Sequence, residues 1–357
     1  MMNNENYALY RFPYEDKFTT IRQTSGKPLE LKSYSELDGK SGFVFAPFSI
    51  SDKHPLLLLR ADEIKTEPVA LNGDMPDNAL PVNDDSNGRK NYENVFSLFH
   101  SKLESDEFSK IVLSRCKVEN TPMSLRPRQL FMRACNMYPR MFVALVSMHR
   151  CGTWLMATPE ILLEDCGERW HTMAIAGTMR LNRENDTDKS LALRRDSGNI
   201  NEWDTKNIQE QRYVSRYIAE CLGRYSSDIN EVGPYTLRAG MVKHLATDFN
   251  FKLDSGENIL GKLIEELHPT PAVCGIPKDE AYAFIQANES YDRSYYSGFA
   301  GPLNCAHGSH LYVTLRCMRI ETAQCVLYAG GGLLKDSEVN KEWLETEAKM
   351  ETMRRCL

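Results

Sequence analysis

No apolar run in the 357-residue chain approaches the roughly 20 residues that a membrane-spanning helix needs. The stretch PLLLL at 55–59 is far too short, so no membrane span is expected. The N-terminal stretch, MMNNENYALYRFPYEDK, has neither a basic leader nor an apolar core, and secretion is not expected. None of the ten cysteines forms a CxxC pair, and Cys116, Cys221 and Cys325 sit inside apolar segments. That pattern suits reduced, buried thiols in a cytoplasm and argues against a disulfide framework or a zinc site. An excess of one charge is missing as well. Lys and Arg number 43 against 49 Asp and Glu, net −6 and well mixed, which favours neither nucleic acid nor an anionic membrane surface. No GxxxxGK[ST] occurs and no GxGxxG follows a strand, so phosphate-cradling loops are excluded. No internal repeat is visible.

What remains is a globular chain with 42% hydrophobic residues, long enough for two average domains or one large α/β or α+β domain. YALYRF, GFVFAPF and PLLLLR are short strand-like runs in the first 70 residues. Residues 72–91 are polar and rich in turn formers, and read as a mobile surface loop. Helical spacing begins with Phe96, Phe99 and Leu103. FSKIVLSRCKV (108–118) is apolar on both faces, as in a buried central strand. MFVALVSM and TWLMATPEILLED predict two strands joined at Arg150-Cys151-Gly152. Residues 201–225 predict a long amphipathic helix, and LYVTLRCMRI with AQCVLYAGGGLL a further strand pair. A helix from about Ser337 to Met353 ends the chain. Hairpin-type neighbours mixed with helices predict an α+β fold, with large antiparallel sheets packed as a sandwich and helices outside.

Several polar residues stand where the pattern asks for apolar ones. Glu210 lies on the inward stripe of Val214, Tyr217, Ile218 and Cys221. A carboxylate there is paired, exposed at the stripe's end, or bound to a cation. Glu342, Glu345 and Lys349 fall within about 60° of one another on the last helix, where Glu345 and Lys349 can form an i,i+4 ion pair. Lys110 opens an apolar strand. It either reaches back to water or is desolvated, which would lower its pKa and make it a usable base. Glu160 precedes the triplet Ile161-Leu162-Leu163 in the same manner. Arg316 alternates with Tyr312 and Thr314 and is either an exposed strand residue or a clamp for a carboxylate. Gly330-Gly331-Gly332 permits close approach of a backbone. Such a set suits a small substrate with several carboxylates, bound through a divalent metal.

The stretch LHPTPAVCGIPKDEA (267–281) holds Pro269, Pro271, Gly275 and Pro277 just before a helix-forming run. The prolines fix backbone dihedrals, and Pro277 suits a helix start. A loop stiffened so heavily just before a helix is read as holding something in place.

From about Phe96 to Met353 the chain resembles the chorismate-binding enzymes, the family of isochorismate, salicylate, anthranilate and aminodeoxychorismate synthases. The matching stretches run in order: SKIVLSR, ATPEILLE, AIAGTMR, WDTKNIQEQ, VKHLAT, LHPTPAVCGIP, YDRSYYSGFAG, VTLRC, LYAGGGLL and EWLETEAKM. The first 90 residues match little. Residues 1–91 are therefore read as a variable N-terminal part packed on the same fold as a catalytic domain, 92–357. The resemblance implies Lys110 as the base that deprotonates water and Glu160 as the acid for the departing hydroxyl. It implies Mg²⁺ held by Glu210 and Glu345 with Glu342 nearby. Arg316 and Tyr296 match the pair that grips the enolpyruvyl carboxylate. Lys349 and the backbone at Gly330 and Gly332 match the support of the ring carboxylate, while Gly177, Thr178 and His244 match pocket-lining positions.

Within the family, HPTPAVxGxP resembles the isochorismate synthases, and Lys110 agrees, because the ammonia-using synthases lack a lysine there. The implied reaction turns chorismate into isochorismate, for a menaquinone or siderophore route. No glutaminase partner is expected, nor anything larger than a monomer or weak dimer. The alternatives are a salicylate synthase, an ammonia-using synthase subunit, or a non-catalytic chorismate-binding protein. Two departures stand out: family members often carry Lys-Asp and Glu-His around the first metal ligand, where this chain has Lys206-Asn207 and Glu210-Gln211.

Overall fold

The computed structural model describes residues 6–70, 85–122, 125–180, 202–239, 242–254 and 259–357. Strands β1 (Asn6–Arg11), β2 (Lys17–Gln23), β3 (Leu29–Leu31), β4 (Gly42–Ala46), β5 (Leu56–Leu59) and β6 (Glu63–Pro68) precede helix α1 (Ser86–Glu104). Next come β7 (Lys110–Asn120), α2 (Pro127–Met137), β8 (Phe142–Met148), β9 (Gly152–Thr158), β10 (Ile161–Asp165), β11 (Trp170–Arg180) and α3 (Thr205–Leu222). They are followed by β12 (Asp228–Ala239), β13 (Val242–Lys252), α4 (Leu260–Leu267), β14 (Gly275–Ile276) and α5 (Lys278–Asn288). The chain closes with β15 (Phe299–Leu303), β16 (His310–Val313), β17 (Cys317–Ile320), β18 (Gln324–Leu333) and α6 (Val339–Arg354).

Among the described residues the strands form two nine-stranded sheets, in the orders β14-β7-β18-β17-β9-β8-β1-β2-β6 and β12-β13-β11-β10-β16-β15-β4-β5-β3. The architecture is α+β, as the sequence pattern predicts. The two sheets face each other across an aromatic layer in which Phe142 stacks on Tyr312 at 4.1 Å and Phe45 on Tyr295 at 4.3 Å. Helices α3 and α4 cover the outer face of the second sheet through Val214, Ile218, Leu263 and Ile264. Helices α2 and α6 cover the first through Leu130, Phe131, Met350 and Met353. Residues 6–68 supply outer strands to both sheets.

Three expectations need correction. The loop expected over 72–91 is helical from Ser86. Tyr92 is already buried against Trp343, so the apolar stripe starts a turn earlier and carries its exposed polar residues into the helix; residues 71–84 lie outside the described residues. TWLMATPEILLED is not one strand. It breaks at Pro159-Glu160, with β9 in the first sheet and β10 in the second, because proline offers no N–H to continue a ladder. LYVTLRCMRI breaks likewise at Thr314-Leu315-Arg316, with β16 in the second sheet and β17 in the first. Arg316 takes a left-handed backbone, φ 46°, so it does not alternate along a strand. The two crossings are tied together, with Ala157 N donating to Arg316 O at 3.1 Å and Val313 N to Glu160 O at 3.0 Å. Both chain segments therefore change sheets at one place, and there they leave Glu160 and Arg316 facing the space between the sheets.

Candidate active site

The site is built on an unfinished sheet edge. β17 pairs with β18 only as far as Tyr328, whereas β7 accompanies β18 to Leu333. From Ala329 onward β18 thus has no second neighbour among the described residues, and side chains from three directions press on its glycines. A methyl group on Gly332 would lie 2.1 Å from Glu210 Oε1 and 2.8 Å from Lys110 Cε. One on Gly331 would lie 2.9 Å from Glu342 Oε2 and 3.5 Å from Glu345 Oε1. Close approach is the reason for the glycine run.

Lys110, the first residue of β7, has no exposed surface. Its Nζ donates to Pro271 O at 2.7 Å and stands 3.2 Å from Glu210 Oε1. The proline loop thus holds the lysine head by a backbone carbonyl. Burial pushes the ammonium below its ordinary pKa, and Glu210 opposes the shift. Of the two readings of Lys110, desolvation is the one realised. Glu160, at the first crossing, is 3% exposed. Burial raises its carboxyl to about 8, and Lys110, Lys349 and Arg316 offset this only in part.

Arg316, at the second crossing, is held by backbone and ring. Its Nη1 donates to Ala239 O at 3.2 Å, and its Nη2 lies 2.6 Å from His244 Nε2. His244 Nδ1 in turn reaches Gly177 O at 2.9 Å, which assigns the proton to Nδ1 and the acceptor to Nε2. Burial, with Arg316 and Lys349 nearby, keeps the imidazole neutral. Tyr296 is buried, stacks on Tyr328 at 5.6 Å, and places its hydroxyl beside Gly330. Lys349 donates to Gly330 O at 2.8 Å and to Glu345 Oε1 at 2.7 Å.

These residues enclose a narrow cavity. Glu160, Gly177, Thr178, Glu210, His244, Tyr296, Arg316, Gly330, Gly332 and Lys349 all line it. Lys110 does not; it sits directly behind Glu210. Glu342 and Glu345 line an adjoining cleft instead, together with Lys206, Asn207 and, shared with the cavity, Thr178. Ten of the thirteen residues singled out by sequence therefore face one space, and the other three adjoin it.

Three contacts of α3 had no signal beyond an apolar stripe that continues through polar letters and, at Asn207 and Gln211, a departure from the family pattern. Lys206 pairs with Glu342. Asn207 accepts from Thr178 N at 2.9 Å. Gln211 donates to Ala174 O and Thr247 Oγ1, each at 3.1 Å. Asn207, Glu210, Gln211 and Val214 are all buried on α3, so the sequence stripe could have been extended one turn toward Asp204.

Residues 58–357 match the family described as chorismate binding enzyme. The chain belongs to that family. The chain is 32% identical over 263 residues to the isochorismate synthase EntC of Escherichia coli K12, covering 73% of this chain and 66% of that relative's length. In structure it is similar to DhbC from Bacillus anthracis, described as a 2,3-dihydroxybenzoate-specific isochorismate synthase, with TM-score 0.81, 21% identity and coverage of 100% of this chain and 97% of that one. It is also similar to anthranilate synthase component I from Streptococcus pneumoniae, with TM-score 0.71, 15% identity and coverage of 99% and 91%. At those identities the structures speak for the fold alone.

The chorismate-binding family implies a magnesium ion, and the donors here fit one in kind. Glu342 is 1% exposed, yet among the described residues its Oε2 has no hydrogen-bond partner, and Glu345 Oε1 approaches the same point over Gly331. Burial and the neighbouring Glu345 charge raise Glu342 to about 7. A divalent cation would relieve that repulsion with the oxygen ligands it prefers. Each carboxylate is answered by a lysine: Glu210 by Lys110, Glu342 by Lys206, Glu345 by Lys349. Among the described residues no three His, Cys, Asp or Glu side chains are grouped tightly enough to hold an ion by themselves. Substrate and water oxygens would have to complete the shell.

Proposed function

We propose that the chain is an isochorismate synthase, an isomerase that converts chorismate to isochorismate with Mg²⁺. The observation that carries this reading is an opposed pair, Glu160 lining the cavity and Lys110 directly behind Glu210. Lys110 is buried and pushed toward its neutral form, and Glu160 is held protonated near neutrality. Two titratable groups whose surroundings push their pKa values in opposite directions are what an acid and a base need. Lys110 takes a proton from water as the water oxygen bonds to ring C2. The ring double bonds shift, the C4–O bond breaks, and Glu160 gives its proton to the departing hydroxyl. One water enters and one leaves, so the reaction is an isomerisation.

Glu210, Glu345 and Glu342 would hold the magnesium ion, which when bound supplies positive charge for the ring carboxylate. Arg316, fixed by His244, and Tyr296 receive the enolpyruvyl carboxylate, and Lys349 with the Gly330 and Gly332 backbone orients the ring carboxylate. Incubation with chorismate and Mg²⁺ tests the reading by product analysis. Isochorismate without pyruvate is the expected outcome. Salicylate with pyruvate would move the chain to the salicylate synthases, and turnover stimulated by ammonium would imply a glutaminase partner.

A further inference from the structure

Asp204 caps α3, accepting from Asn207 N at 2.8 Å. The Asn207 side chain then bridges two structures. Its Nδ2 donates to Asp204 Oδ1 and Oδ2 at 2.9 and 3.0 Å, and its Oδ1 accepts from Thr178 N at 2.9 Å. The amide's orientation is fixed by its partners, since a backbone N–H only donates and a carboxylate only accepts. Thr178 belongs to a bulge in β11, where the register against β13 shifts between Ala176 and Thr178 and Gly177 takes φ 72°. The helix touches this bulge directly: a methyl on Gly177 would lie 3.0 Å from Asn207 O and 3.2 Å from Asn207 Cβ. The bulge holds the site from both ends. Gly177 N donates to Glu210 Oε2 at 3.2 Å, and Gly177 O accepts from His244 Nδ1 at 2.9 Å, behind Arg316.

We propose that Asn207 is a positioning residue for this site, fastening the first turn of α3 to the β11 bulge and so setting the aim of Glu210 one turn further on. The role requires an amide, because Asp204 is already an acceptor. The aspartate that family members often carry at this position would here set two carboxylates against each other. Asn207 is the complement of Asp204, and the departure from the family pattern at 207 is tuned to the cap at 204.

This inference rests on the proposed function, and its test separates the two. The variants are Asn207→Asp and the reciprocal exchange Asp204→Asn/Asn207→Asp, which puts the donor on the cap and the acceptor on the first turn. kcat and KM for chorismate are measured separately at saturating Mg²⁺, with thermal unfolding as a control. Asn207→Asp should lower kcat/KM roughly 10–100-fold, the usual cost of losing a group that orients a metal ligand. The exchange should restore most of the loss. Wild-type activity in Asn207→Asp, or an exchange variant no better than the single one, overturns the positioning role while leaving the function intact. A single variant that fails to fold leaves the exchange variant to decide, because its recovery of folding and rate together is the expected result and its inactivity when folded overturns the proposal. A wild-type protein that makes no isochorismate overturns the function and this inference with it.

Discussion

Glu160 immediately precedes the short strand β10 and Glu164 lies near its other end, and burial is the largest influence on both, yet their carboxyls go opposite ways. Glu160 is raised to about 8, and Glu164 is lowered to about 2. The difference lies in direct partners. Glu164 Oε1 is 2.7 Å from His310 Nδ1 and its Oε2 is 3.4 Å from His171 Nδ1, while His171 Nε2 continues to Asp248 at 3.0 Å. Glu160 has cations around it, but its carboxyl makes no hydrogen bond with them among the described residues. A buried carboxyl with donors in contact becomes a fixed anion that staples strands together. One buried without donors keeps its proton and can give it away.

The largest effect that would break the contrast is on turnover. Glu160→Gln and Lys110→Ala should each slow isochorismate formation roughly 10²–10⁴-fold, the usual worth of one general acid or base. Wild-type initial rates in either variant would remove its assigned role. Glu160→Gln should also unfold at a higher temperature than the wild type at pH 8. The folded carboxyl titrates at about 8 against an ordinary 4.5. Across that window the folded state holds the extra proton, so its stability falls as pH rises, and glutamine removes the slope. In the wild type, the rate should decline as pH rises through about 8, where Glu160 loses its proton.

A smaller effect concerns the metal. Glu342→Gln takes away a carboxylate with one unpartnered oxygen, and the Mg²⁺ concentration giving half-maximal rate should rise roughly 10–100-fold. An unchanged magnesium requirement would remove Glu342 from the donor set. Chelation should stop turnover in the wild type, and added Mg²⁺ should restore it.

Why the contrast escaped the sequence is a matter of range. The hairpin of β8 and β9 and the helices expected over 201–225 and 337–353, observed at Thr205–Leu222 and Val339–Arg354, were legible because their periodicity is local. Glu160 and Glu210 were legible as anomalies for the same reason, as charges set in apolar runs. Of the two breaks between sheets, the first had a single local signal, Pro159, and the second had none. ATPEILL and YVTLRCM are apolar on both sides of the break, and a buried strand reads alike in either sheet. His171 meets Asp248 and His310 meets Glu164 across 77 and 146 residues of chain, separations at which spacing carries no information. The Asn207 amide was visible only as a departure from a family pattern, because its meaning depends on which acceptor happens to cap the helix.

The smallest expected effect sharpens the comparison from the Glu164 side. His171→Gln removes one cation from the strand staple without touching the cavity, so isochorismate formation should remain close to wild type while thermal stability falls by a few degrees at pH 6. Although burial opposes it, contact with Asp248 and Glu164 raises His171 to about 9 from an ordinary 6.5. The folded state therefore holds its proton more tightly than the unfolded chain. The resulting stabilisation is complete below about 6.5 and disappears as pH rises through about 9. Unfolding temperatures of wild type and variant should accordingly converge between those limits. Glu164→Gln should show the complementary window, since a carboxyl lowered to about 2 stabilises above its ordinary 4.5 and loses that contribution as pH falls toward 2. Unfolding temperatures that stay equally far apart from pH 6 to pH 10 would mean that His171 contributes packing and no charge, and the contrast between the two carboxyls would then rest on Glu160 alone.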